Sequence, residues 1–247
     1  MLAEPHAGAR TLAVVLCVLL GGCTPRPLLE RAIAARGGPL RGVIMRAETR
    51  VYRVVPGRWR YTRTCRSAGG YAWQLDTAAG IDTHTFDGRV VRSFVAGELV
   101  GSDTSPSAPL RSQARWTAVS LLDALTAADV VVQPLPAEQL PSGAREGLSA
   151  VFRDGAVYRL GFDDATALVW MQGPLDLSPL ADGEASVRFG DARPVDGFLV
   201  PHRAAYDVGG QHLADEQLLE VCLTPAGLTA DDFAEPAALP SCAPAPR

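Results

Sequence analysis

Five cysteines, four histidines and two Asp-Asp pairs are the side chains of this chain with chemistry to offer. His84, His202 and His212 fall in separate turn-flanked segments, with no i, i+4 pairing and no cysteine beside them, so their spacing is not that of a metal site. Asp163-Asp164 lies at an expected strand turn and Asp231-Asp232 near the C-terminus. Carboxylates in such places cap backbone amides and do not form an acid–base pair. No serine stands in Gly-x-Ser-x-Gly, the nucleophile elbow of a hydrolase. The chain has no lysine at all, which excludes a Walker A loop, a Schiff base and a lysine general base. We therefore expect no catalytic residue, no metal site, no cofactor and no enzymatic activity.

Cys23 is different. It closes the run Leu20-Gly21-Gly22-Cys23, which resembles the lipobox of bacterial lipoprotein signal peptides. Thr11 to Leu20 forms an apolar stretch of about ten residues, within the range of a secretory signal and too short to cross a bilayer as a helix. The resemblance implies diacylglycerol transfer to the Cys23 sulfur, cleavage after Gly22 and acylation of the new N-terminus. Thr24 follows, where in enteric-type envelopes an aspartate would favour retention in the inner membrane. An outer-membrane anchor facing the periplasm is the resulting expectation.

Composition supports export. Cys65, Cys222 and Cys242 remain after the signal and Cys23 are set aside, and an oxidising compartment lets two of them pair. Cys222 with Cys242 would loop back a tail rich in proline and alanine; Cys65 with Cys222 and Cys65 with Cys242 remain open as well. A net charge of -4 and no basic-aromatic motif argue against a nucleic-acid partner. Asparagine is absent, so there are no Asn-Gly turns or glycosylation sequons.

These residues must be positioned by a mainly β chain. Pro27 to Arg36 reads as a helix, with Leu28, Leu29, Ala32 and Ile33 on one stripe and Gly37-Gly38 at its exit. From Val43 the period changes to two. Val43, Met45, Ala47, Val51 and Val55 alternate with charged Arg46, Glu48 and Arg50, and Trp59, Tyr61 and Cys65 alternate with Arg58, Arg60, Thr62 and Thr64. Tyr71, Trp73 and Leu75 continue the apolar face. Asp87-Gly88, Asp154-Gly155, Asp196-Gly197 and Gly209-Gly210 are hairpin signals. A second helical stripe, Leu110 to Ala128, interrupts the strands, with Leu121, Leu122 and Leu125 on its apolar side and Trp116 beside it. Pro134, Pro136 and Pro141 then mark a loop. The count is about eleven strands, with no fixed-period repeat.

Helix, strand block, middle helix, second strand block is a layout that resembles the bacterial LolA/LolB-like proteins. The local match is Arg193-Pro194-Val195-Asp196-Gly197-Phe198-Leu199-Val200-Pro201-His202-Arg203 with the hairpin at Gly209-Gly210, preceded by the strand pair from Ala150 to Gly173. The resemblance implies one curved antiparallel half-barrel whose concave face is covered by helices and accommodates acyl chains. It spans residues 27–225, after a signal peptide (1–22) and a lipidated tether (23–26), and before a C-terminal tail (226–247).

Met45, Trp59, Tyr61, Trp73, Trp116, Leu121 and Leu125 are the candidate lining of that trough. The expected function is an envelope-anchored lipoprotein that binds lipid or lipoprotein acyl chains, of palmitate size or similar, and passes them toward the outer membrane. The alternative is a structural or assembly lipoprotein with a filled core that offers its sheet to an envelope protein partner. Cys23→Ala is expected to release the protein from membranes. A variant that still fractionates with membrane, or a wild-type mass without lipid, counts against the anchor.

Overall fold

The computed structural model describes residues 26–53, 56–66, 70–78, 80–104, 115–176, 182–223 and 228–235. Helix α1 (Arg26–Arg36) leads into strands β1 (Gly42–Val51), β2 (Gly57–Arg66), β3 (Gly70–Thr77), β4 (Gly80–Phe86), β5 (Val91–Val95) and β6 (Glu98–Asp103). Helix α2 (Ala118–Ala124) follows, then β7 (Val131–Pro134), β8 (Glu146–Val151), β9 (Val157–Phe162), β10 (Leu168–Asp176), β11 (Asp182–Val195), β12 (Phe198–Val208) and β13 (Gln211–Leu223). Single 3-10 turns stand at Ala137–Gln139 and Asp231–Phe233.

Turn chemistry sets the connectivity. Asp87-Gly88 joins β4 to β5, Asp154-Gly155 joins β8 to β9, Asp196-Gly197 joins β11 to β12, and Gly209-Gly210 joins β12 to β13. Asp196 and Gly197 both take positive φ, 46° and 85°, as the two-residue turn between right-twisted strands requires. All thirteen strands form one antiparallel sheet in the order β6-β5-β4-β3-β2-β1-β13-β12-β11-β10-β9-β8-β7. It is two meanders joined where β1 pairs with β13. The edge strands β6 and β7 do not pair with each other, so the curved sheet is not closed into a barrel.

The sheet has two more strands than the eleven the sequence pattern predicts, and they lie at its edges. Every residue of β6 is exposed, so the strand carries no alternation to read. Its turn, Ala96-Gly97, places a non-glycine residue at φ 52°. Strand β7 lies in the proline-marked stretch read above as loop; an edge strand tolerates Pro134 because one side of its backbone has no partner to donate to. The middle helix is also shorter than predicted. Helix α2 covers Ala118–Ala124, residues 125–129 turn away from it, and the start of the predicted span, residues 110–114, lies outside the described residues. Among the described residues the helical cover is two short helices, touching each other, β12 and, through α2, β1.

Alternation assigns the faces. On the helix side the row Val51, Ala214, Tyr206, Val187, Met171, Leu160, Leu148 runs across seven strands, and its last four members are fully buried. Leu28, Leu29 and Ala32 of α1 and Leu121 and Leu122 of α2, with the following Leu125, pack into the same cluster. On the outer side most positions are polar, but the row Ile44, Thr64, Ala72, Thr85 is buried. Phe233, fully buried in the segment 228–235, packs beside this row, its ring lying on Gly70 of the same outer face. A Cβ at position 70 would run into that ring.

Cys222 sits opposite Ile44 on that outer face and is disulfide-bonded. Cys65 points to the other face and donates its thiol to Thr117 Oγ1 at 3.6 Å, which removes both pairings through Cys65. Cys242 lies outside the described residues, as do the signal segment, Cys23 and Val55.

Gly70→Ala is expected to cost about 1–3 kcal/mol by overpacking, and Phe233→Ala about 3–5 kcal/mol by leaving a cavity. The midpoint of urea unfolding measures both. Combining Gly70→Ala with Phe233→Leu should cost less than the sum of the single changes, since the smaller side chain makes room for the new methyl group.

Candidate functional site

Period two delivers Tyr61, Arg63 and Cys65 of β2 to the helix face, and Ala214, Glu216 and Leu218 of β13 to the same face. Two opposite charges thus stand at positions otherwise apolar. They meet: Arg63 Nη2 lies 2.6 Å from Glu216 Oε2, with both side chains largely buried. Around them, Tyr61 Oη donates to Glu216 Oε2 and receives a hydrogen bond from Arg63 Nη2 at 2.7 Å. Tyr206 Oη donates to the same carboxylate oxygen at 3.2 Å, and Thr49 Oγ1 is 2.9 Å from Tyr61 Oη.

Burial makes this cluster electrostatically tight. Loss of solvent pushes the Tyr61 phenol well above its usual value, reinforced by Glu216 and opposed by Arg63. Burial and the Glu216 carboxylate likewise raise Tyr206. For Arg63, burial favours the neutral form, but the adjacent carboxylate outweighs it and holds the guanidinium charged. Such a pair gains little over an apolar replacement of both members, yet breaking it strands a buried charge.

The cluster divides the predicted lining. Trp116, Leu121 and Leu125 pack in the larger cluster with β8 to β13, while Met45 and Tyr61 belong to a second cluster under β1 to β4, against which Trp73 packs. Trp73 is half-buried between Tyr61, 6.3 Å between ring centroids, and His84, 5.7 Å. Trp59 belongs to neither cluster and folds back over Gly57 of its own strand. Met45, Trp116, Arg63, Glu216 and Tyr206 border a cavity of about 20 Å³ between the two halves. That volume holds about one water molecule.

The stretch 115–130, which leads into β7, lies on the helix face. It is pinned on both wings. Trp116 Nε1 donates to the Pro174 carbonyl at 2.9 Å on β10, Arg115 reaches Asp154 at 2.9 Å and lies 3.9 Å over the Phe152 ring, and Thr117 receives the Cys65 thiol on β2. A largely buried Arg36–Asp123 ion pair at 3.0 Å ties the end of α1 to α2, and Asp123 also accepts from the Leu40 amide. The two helices therefore form one linked cover.

The solved structures decide what kind of fold this is. A LolA superfamily protein from Nitrosomonas europaea matches 87% of this chain and 100% of its own at TM-score 0.57, with 15% sequence identity. The fold is LolA-like. Two weaker similarities are a putative outer membrane lipoprotein-sorting protein domain from Vibrio parahaemolyticus, at TM-score 0.45 and 13% identity over 87% of this chain and 99% of that one, and a DUF1329 family protein from Desulfovibrio piger, at 0.48 and 8% over 86% and 98%. No protein-family profile matches the sequence, and no curated protein does. Among the described residues no helix is long and apolar enough to cross a membrane, and no three His, Cys, Asp or Glu side chains are grouped as a metal site.

Sequence reading passed over Arg63 and Glu216, although the signal was present. Each is a charge at an apolar position of the alternation, of opposite sign, on strands that flank β1. Arg63→Met alone and Glu216→Leu alone are each expected to destabilise the LolA-like domain by about 3–5 kcal/mol. Arg63→Met with Glu216→Leu should recover most of that loss. Chemical denaturation of the four proteins gives the coupling, and additive losses would mean the pair is not acting as a buried unit.

Proposed function

We propose that this protein is a non-enzymatic, envelope-anchored lipoprotein that holds an acyl chain of a lipid or lipoprotein under its helical cover, on the periplasmic face of the outer membrane. In this reading Cys23 carries the anchor, and the held chain is cargo on its way to that membrane. The observation that carries the reading is an apolar sheet face closed, among the described residues, by two short linked helices and not by a second sheet.

Magnitudes make the exchange feasible. Leu28, Leu29, Leu121, Leu122 and Leu125 hold the cover down, and at about 2 kcal/mol for each buried leucine they contribute roughly 10 kcal/mol. A palmitoyl-sized chain of about 15 carbons, at ~0.8 kcal/mol per methylene, gains about 12 kcal/mol from the same face. Ligand and cover therefore compete on equal terms. An acyl chain entering beside Trp116, Leu121 and Leu125 would take over contacts that the helices make in its absence.

A second reading rests on the size of the cavity, about 20 Å³, which is far below the ~300 Å³ of a small-ligand site. On that reading the core is filled for good and the protein is a structural or assembly lipoprotein that binds an envelope protein. Leu121→Ala separates the two. A lipid binder should still take up a long-chain fatty acid, at least as well as wild type, because the change enlarges the space beneath α2. A filled scaffold should only lose about 2–5 kcal/mol of stability. Native mass spectrometry and a fluorescent fatty-acid titration read the outcome, and no lipid on either protein would sink the acyl-chain proposal.

A further inference from the structure

The face of the sheet away from the helices carries a depression of about 540 Å³ across its centre. Register explains its shape. One row across β11, β12, β13, β1 and β2 reads Arg188, Ala205, Asp215, Arg50, Arg58, and the next reads Gly190, Arg203, Gln217, Glu48, Arg60. Gly190 and Ala205 give a floor without long side chains, with nothing within 4 Å of where a Gly190 Cβ would stand. Guanidinium groups rise on both sides of it.

Five arginines and two carboxylates stand in these rows, with Asp191 and Asp207 beside them, so arginines outnumber carboxylates on this part of a chain whose net charge is -4. Two are hydrogen-bonded to a carboxylate, Arg60 and Arg188, and two are held at longer range, Arg58 and Arg203. Arg58 and Arg60 share Glu48 at 3.7 and 3.1 Å, Arg203 is 3.8 Å from Asp191, and Arg188 is 3.2 Å from Asp207. Arg50 stacks on the exposed Tyr52 ring, 5.1 Å from its centroid. Leu219, the bulge residue between the partners of Arg46 and Ala47, is 51% exposed on the same strand as Asp215 and Gln217.

We propose that this outer face is a docking surface for the phosphate headgroups of an anionic membrane. Guanidinium forks match phosphate oxygens two at a time. A tyrosine with an apolar ring and a polar tip, and a lone leucine, are side chains that settle at a lipid–water boundary, whereas a soluble phosphate compound would leave both in water. The surface is opposite the helix face, so it serves membrane contact whether or not the trough holds an acyl chain.

The test uses the full chain carrying Cys23→Ser, sedimented with vesicles of phosphatidylcholine alone or mixed with phosphatidylglycerol. Any contribution from the N-terminal apolar segment is common to both. Binding to the anionic vesicles should exceed neutral binding by at least roughly tenfold at low salt, as several arginines at an anionic surface produce, and the excess should shrink at high salt. Arg50→Glu with Arg188→Glu should abolish the excess. Arg89→Glu with Arg145→Glu, an equal change of net charge at exposed positions outside the strands, should keep most of it. Equal binding to both vesicle types, or equal loss in the two double variants, overturns the proposal. Displacement by inorganic pyrophosphate beyond that of salt at matched ionic strength also overturns it, assigning the depression to a soluble phosphate ligand instead.

Discussion

Pairing of β1 with β13 is the constraint on which the rest of the structure depends. Each meander alone would end in an open strand next to its hairpins. Joining the first strand to the last makes them one sheet, and it places β6 and β7 at opposite edges. Thirteen strands at about 4.8 Å would hold those edges roughly 58 Å apart if the sheet were flat, and twist and curl bring them closer. The chain between them has to cross a face. That crossing supplies α2 and Trp116, so the cover over the apolar face is a consequence of topology and not an added lid domain.

The same junction explains where the buried charges sit. Strands β2 and β13 flank β1, and Arg63 and Glu216 reach each other across it on the helix face. Their pair, with Tyr61, Thr49 and Tyr206, puts a polar wall between two apolar clusters. A trough interrupted in this way differs from the continuous apolar groove that strand alternation suggests. Whatever occupies the face meets charge at its centre, and the stability of that centre depends on both members being present.

The two faces divide the work by chemistry. The helix face is apolar in its two buried clusters, with the charged pair between them, and its cover is held by leucines whose burial is comparable in free energy to that of an acyl chain. The outer face is arginine-rich at the centre of the sheet and buried toward both ends: on one side is the row Ile44, Thr64, Ala72 and Thr85 with Phe233 on Gly70 beside it, and on the other Trp170 lies against Gly161. A disulfide at Cys222 anchors the end of β13 beside Ile44.

By itself the sequence determined the mainly β class, the antiparallel hairpins and the apolar face, because turn residues and period two are local signals that need no partner to be read. Asp196-Gly197 and Gly209-Gly210 specify their turns wherever the strands go, and the α1 stripe is visible in Leu28, Leu29 and Ala32. The thirteen-strand order, the two edge strands and the extent of α2 were decided only by tertiary structure. An edge strand such as β6 buries nothing and so carries no pattern, and a crossover helix ends where its contacts with the sheet end, not where its apolar residues do. The site followed the same rule: Met45, Tyr61, Trp73, Trp116, Leu121 and Leu125 could be assigned to a face from their spacing, but their separation into two clusters depends on Arg63 meeting Glu216. That contact spans 153 positions of chain, and only the β1–β13 pairing brings it within hydrogen-bonding distance.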